Sequence, residues 1–190
     1  FLEMSIQAQR LNLFPNPVYL IHKTLSNEQR KKLIQDCYKW RSCNEGLSVS
    51  NKGGWHSDLG LFGRSEESFK LLSKIILQRV SLINKDLDES WTDEQSKRNL
   101  CQGWVNINKK NHFNSPHDHS GYTWSGTYYA KIPTKTSNEI QHAGCFEFLD
   151  PKFGFCPLNI PKSINKQFRY GSTISPTEDL MIIFPSWLKH

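Results

Sequence analysis

No apolar run in these 190 residues reaches the ~18 positions that a membrane-spanning helix needs, so no such helix is expected. The opening residues lack the charged-then-apolar pattern of a secretory leader. Cysteine is sparse: Cys37, Cys43, Cys101, Cys145 and Cys156 make an odd count with no C-x-x-C pair. That argues against both a disulfide framework and a zinc ribbon, and makes the reducing cytoplasm the expected compartment. Long blocks of one charge are also missing. The formal net charge is +6 and the pI about 9.1, yet the basic clusters are as short as Arg30-Lys31-Lys32 and Lys109-Lys110. Neither reads as a nucleic-acid tail, so no nucleic-acid partner is expected, only a mild attraction for anionic substrates. Internal repeats and low-complexity stretches are absent as well.

What is present suits one domain with a substantial core: 37% of residues are hydrophobic and 12% aromatic. The chain opens Phe1-Leu2-Glu3-Met4 and stops on His190 directly after an apolar strand, so the expectation is a fragment lacking residues at its C-terminus. Residues 12–22, with Pro15 and Pro17, read as an edge strand. Ser26-Asn27-Glu28-Gln29 reads as a capping box opening a helix whose apolar face is Leu33, Ile34, Cys37, Tyr38 and Trp40. Residues 43–64 are rich in Gly, Ser and Asn and read as a long irregular loop near the mouth of any site. Ser65 is the expected N-cap of a second helix, in which Phe69, Leu72, Ile76, Val80, Ile83 and Leu87 keep 3–4 spacing. From Cys101 onward the period changes to that of strands, over 104–108, 124–132, 145–149, 167–174 and 180–184. The expected class is α+β, mainly β: helical support over roughly 24–90 packed on a jelly roll over roughly 100–190, as one domain.

The chemistry concentrates in two phrases far apart in the chain. In Pro116-His117-Asp118-His119-Ser120-Gly121, the two histidines are two residues apart, and an extended chain points both to one side. Asp118 then faces the other way, as an outer or solvent-facing residue, unless a bulge swaps it into the ligand role in place of His119. The second phrase, Ile183-Phe184-Pro185-Ser186-Trp187-Leu188-Lys189-His190, ends an apolar strand on a third histidine. Two ligands from one strand and a third from a distance describe a facial metal site with open positions, suited to non-heme iron. His22, His56, His112 and His142 read as surface or satisfied core residues.

These phrases, the run from Asn114 through Ile132, Gly144-Cys145-Phe146-Glu147-Phe148-Leu149-Asp150-Pro151, and the Leu13-Phe14-Pro15-Asn16-Pro17 and Ser50-Asn51-Lys52-Gly53-Gly54-Trp55 segments together resemble the iron(II)/2-oxoglutarate oxygenases. The nearest branch is that of the prolyl-4-hydroxylase-like proteins of phages and marine bacteria. The resemblance implies a double-stranded β-helix (jelly roll) holding Fe(II), 2-oxoglutarate as co-substrate with ascorbate as an accessory, and hydroxylation coupled to oxidative decarboxylation. In its H-x-D/E…H pattern His117 is the first ligand and His190 the distal one. His119 falls on the carboxylate position, a departure that leaves the full +2 charge on the metal. Tyr129 falls where a tyrosine touches the co-substrate, or is a core residue. Ser125 and Thr127 share its face. Asn106 and Asn108 either line the pocket or face water. The family's basic residue for the distal carboxylate is expected beyond His190, with Lys131 as an upstream substitute. Trp124 and Trp187 are candidates to wall the site. A protein or small-molecule substrate and a homodimer are both compatible. The competing reading is a non-catalytic, cupin-like metal-binding module.

Overall fold

The computed structural model describes residues 16–133, 144–150 and 171–190. Three α-helices and nine short strands are found there, and all the strand ladders are antiparallel. The strand β9 (Leu180–Pro185) is the centre: it pairs with β1 (Tyr19–Ile21) on one side and β6 (Trp124–Tyr129) on the other, and all six of its residues are buried. Its uninterrupted apolar sequence follows from having both faces covered. Met181 and Ile183 face a helical core with Leu33 and Trp40 of α1 (Asn27–Ser42) and Phe69, Leu72 and Ile83 of α2 (Glu67–Leu87). Leu180, Ile182 and Phe184 face a second core with Phe146 and Phe148 of β7 (Phe146–Leu149) and Ile174 of β8 (Gly171–Ile174). The order is therefore helices, the β1-β9-β6 sheet, then the β7-β8 ladder.

The α1 capping box forms as expected. Ser26 Oγ accepts from Gln29 N at 3.2 Å and Gln29 Oε1 accepts from Ser26 N at 2.9 Å. The expected Ser65 cap does not form; Glu66 is the N-cap of α2 and makes no side-chain cap bond. A further helix, α3 (Asp93–Lys97), not among the expected elements, opens on a capping box of Thr92 and Gln95.

The helices are locked by one buried carboxylate. Asp36 accepts from Lys32 Nζ at 2.5 Å and from Ser68 Oγ, on α2, at 2.7 Å. Burial pushes this carboxyl up, but the bonds from Lys32 and Ser68 outweigh it and hold the group below its ordinary range. Asp36→Ala is expected to cost about 2 kcal/mol in urea unfolding at neutral pH, because Ser68 loses its acceptor inside the helix pair. A carboxyl lowered on folding stabilises above its unfolded pKa near 4 and loses that contribution as pH falls toward the folded value. The wild type should therefore shed part of its advantage over Asp36→Ala below about pH 4, as paired pH-denaturation curves would show.

Residues 43–64 are not one irregular loop. They contain β2 (Asn51–Lys52), paired with β5 (Phe113–Asn114), and β3 (Trp55–His56), paired with β4 (Asn106–Ile107), then a 3-10 turn at Leu61–Gly63. Gly53 and Gly54 have φ of +81° and +37°, and a Cβ at either would stand 2.3 Å from the His112 ring or 2.0 Å from Asn108. His112 Nδ1 accepts from Gly54 N at 2.7 Å, so this histidine is structural. The expected strand over 167–174 is seen as Gly171–Ile174, and 167–170, like Cys156 and His142, lie outside the described residues.

Candidate metal centre

β5 leads into Ser115-Pro116-His117, and from there the chain runs antiparallel to the end of the β9 segment. His117 N donates to His190 O at 2.9 Å and His190 N donates to His117 O at 3.0 Å. His119 N donates to Ser186 O at 2.9 Å, and on the far side Leu149 N donates to Lys189 O at 2.8 Å. The segment 186–190 is thus held between the histidine pair and the end of β7. That backbone frame brings together three side chains drawn from two distant parts of the sequence.

One ligand-type atom from each of His117, His119 and His190 lies within 4.8 Å of the others. Ring centroids are 4.8 Å apart for His117–His119, 4.6 Å for His117–His190 and 5.2 Å for His119–His190. Facial nitrogens on a six-coordinate ion at 2.0–2.2 Å would stand about 3 Å apart, so a metal would draw a slightly open triangle inward. The tautomers suit that role. His117 Nδ1 lies 2.8 Å from Ser115 O and His190 Nδ1 lies 3.0 Å from Leu188 O. A carbonyl oxygen only accepts, so each Nδ1 carries a proton and Nε2 is the nitrogen that the neutral ring would offer a metal.

Burial pushes His190 down to about 4, and burial followed by the neighbouring His117 lowers His119. Both rings are therefore neutral at neutral pH, the protonation state that ligates. His190 is clamped by carbon: the Phe146 ring stacks on it at 5.3 Å and 15°, and Phe184 meets it edge-on at 4.7 Å. Asp118 is exposed and turned aside. Its carboxylate accepts from Ser120 Oγ at 2.8 Å and Ser120 N at 3.2 Å, bonds that hold it below the usual carboxylate range. It is not in the histidine group.

The other sequence candidates fall as follows. Ser125, Thr127 and Tyr129 are registered opposite Phe184, Ile182 and Leu180, so the three share the sheet face that carries Phe184 toward His190. Burial pushes the Tyr129 hydroxyl up to about 12. Asn106 is exposed, opposite His56 in the β3–β4 pair. Lys131 places its ammonium 5.8 Å over the Tyr38 ring of α1. Trp124 does not wall the site: it packs in the helical core and donates to Asn84 Oδ1 at 2.8 Å. Trp187 is 51% exposed. Trp55 and Ser57 are also turned inward, Trp55 against Trp40, and only His56 of that segment reaches toward the centre, through Trp104. Trp104 is the neighbour that strand alternation alone did not single out. A cavity of about 390 Å³ beside Arg41, Trp55, Lys109 and His112 contains none of the three histidines.

Residues 102–190 match the family model described as "Putative 2OG-Fe(II) oxygenase". That stretch, which holds all three histidines, is similar to this family of iron(II)/2-oxoglutarate oxygenases. No curated protein matches the chain.

Proposed function

We propose that this chain is an Fe(II)/2-oxoglutarate-dependent dioxygenase, a hydroxylase built on a double-stranded β-helix, with His117, His119 and His190 as the facial iron ligands. The observation that carries the reading is the convergence of three imidazoles, two of them with Nε2 left free by a carbonyl bond at Nδ1. The family match supports the same chemistry. Bound iron with 2-oxoglutarate supplies oxidative decarboxylation coupled to hydroxylation, and the protein's own work is to ligate, orient and exclude water. The Ser125, Thr127 and Tyr129 row offers hydroxyls on the face that leads to His190. Tyr129, its pKa raised to about 12, stays protonated and can donate to a carboxylate. Asn106 stands further out as a polar contact. An all-imidazole set leaves the metal at +2, which strengthens its hold on an anionic keto acid relative to a site with a carboxylate ligand. The likeness to prolyl-4-hydroxylase-like proteins makes peptidyl substrates the first class to try.

The non-catalytic module is the second reading. It is favoured by the histidine at the carboxylate position and by Asp118 being engaged with Ser120. The test is succinate formation from 2-oxoglutarate by the Fe(II)-loaded chain under air, with and without proline-containing peptides and with ascorbate present. Succinate released in step with oxygen uptake is expected. Metal binding without keto-acid consumption under any of these conditions would leave the module.

A further inference from the structure

Two of the three histidines have their rings set by the same device, a bond from Nδ1 to the carbonyl two residues earlier, Ser115 for His117 and Leu188 for His190. His119 has no such bond among the described residues. The equivalent carbonyl, that of His117, accepts from His190 N at 3.0 Å. Besides its two fellow ligands His117 and His190, what stands against the His119 ring is Trp104, with centroids 5.3 Å apart and planes tilted by 51°. Trp104 is in turn stacked on His56, at 5.3 Å and 14°. His56 is 2% exposed, with Nδ1 2.6 Å from Ser57 O. Ser57 is fully buried; its Oγ donates to Asp58 O at 2.7 Å and accepts from Val105 N at 2.9 Å. The stack is therefore anchored at its far end in the β3–β4 pair.

From this geometry we infer that Trp104, seated on His56, is the positioning residue for His119, doing by ring packing what the Ser115 and Leu188 carbonyls do for the other two ligands. The inference rests on the metal reading proposed above. The phenylalanines at the centre do not substitute for it: Phe146 and Phe184 pack on His190. Without Trp104 the His119 ring would have beside it only the other two imidazoles, and it would sample several rotamers from which metal binding would have to select one. Residues behind a metal ligand typically govern 10–100-fold in affinity. Phenylalanine keeps a flat ring at position 104 and should largely preserve the effect; alanine should not.

The experiment uses the full chain and two readouts. In Co(II) titrations, Trp104→Ala is expected to weaken binding by about 10-fold or more, with Trp104→Phe retaining most of the affinity. His56→Ala, which removes the support behind Trp104, should fall between them. In a His119→Ala background, Trp104→Ala should cost no further affinity, since the ligand it positions is gone. The second readout needs no metal. Carbon-13 relaxation of the His119 ring in metal-free protein should show one ordered ring in the wild type and in Trp104→Phe, and rotamer averaging in Trp104→Ala. An ordered His119 ring in Trp104→Ala overturns the inference, as does an equal affinity loss with and without His119. If the wild type takes up no Co(II), the metal reading fails, and the relaxation measurement alone still decides whether Trp104 holds His119.

Discussion

His117→Ala is expected to remove metal binding while leaving the fold in place. The ring is only half-buried, and the backbone pairing of His117 with His190 does not involve the side chain. Loss of one of three ligands leaves two imidazoles and should weaken Co(II) or Fe(II) binding by more than ~100-fold, beyond the 10–100-fold typical of residues behind the ligands. Thermal unfolding gives a direct readout. Metal at about 100 times its dissociation constant stabilises a native state by about 2.7 kcal/mol, so the wild type should melt several degrees higher with metal and His117→Ala should not shift. His190→Ala should lose the same metal response from a lower baseline, because its ring also fills the space between Phe146 and Phe184. Asp118→Ala should keep the full response, its carboxylate being occupied with Ser120. A metal shift surviving in His117→Ala, or vanishing in Asp118→Ala, would show that the ligand set is wrong.

The parts of this site that were legible in the sequence are those set by local periodicity. His117 and His119 share a side because alternate residues of an extended chain do, and that holds although 115–119 is not a regular strand. β9 was legible because burial on both faces demands a continuous apolar run, and α1 because its capping box is local chemistry. Alternation says which residues share a face, not what that face meets. Trp124 shares its face with Tyr128 and turns to α2, where Asn84 takes its N–H, while Ser125 and Tyr129 take the other side. Residues 43–64 were opaque for a related reason. Their two-residue strands exist only because β4 and β5 pair with them, and Gly53 and Gly54 are shaped by His112 and Asn108, more than fifty residues away. His56 carried only the coarse signal of a segment near the mouth of a site and by itself read as a surface or satisfied core residue. Its relation to the centre runs through stacking on Trp104, a contact no spacing rule encodes.

The two faces of β9 should be separable by experiment, and the larger stability effects are expected there. Phe69 and Phe184 are both essentially inaccessible, at 0% and 1% exposure, on opposite sides of the sheet. Phe69 lies in the helical core, its ring 5.9 Å from Trp40. Phe184 lies in the second core, 4.9 Å from Phe148 and 4.7 Å from His190. Truncating either to alanine removes a full aromatic ring from a packed interior and leaves a cavity, so each should lower stability by about 3–5 kcal/mol in urea unfolding. Against a typical domain stability of about 5–15 kcal/mol, both variants should remain folded at low temperature if the chain lies in the upper part of that range. Their effects on the metal should differ. Phe184→Ala takes away one wall of the His190 clamp and should weaken Co(II) binding by several-fold under conditions where the protein is still native. Phe69→Ala should leave the affinity of its native fraction unchanged, because among the described residues no aromatic ring of the helical core packs on a histidine of the centre. Equal losses in the two variants would mean that the centre responds to global stability alone, and that the β7-side core has no particular hold on His190.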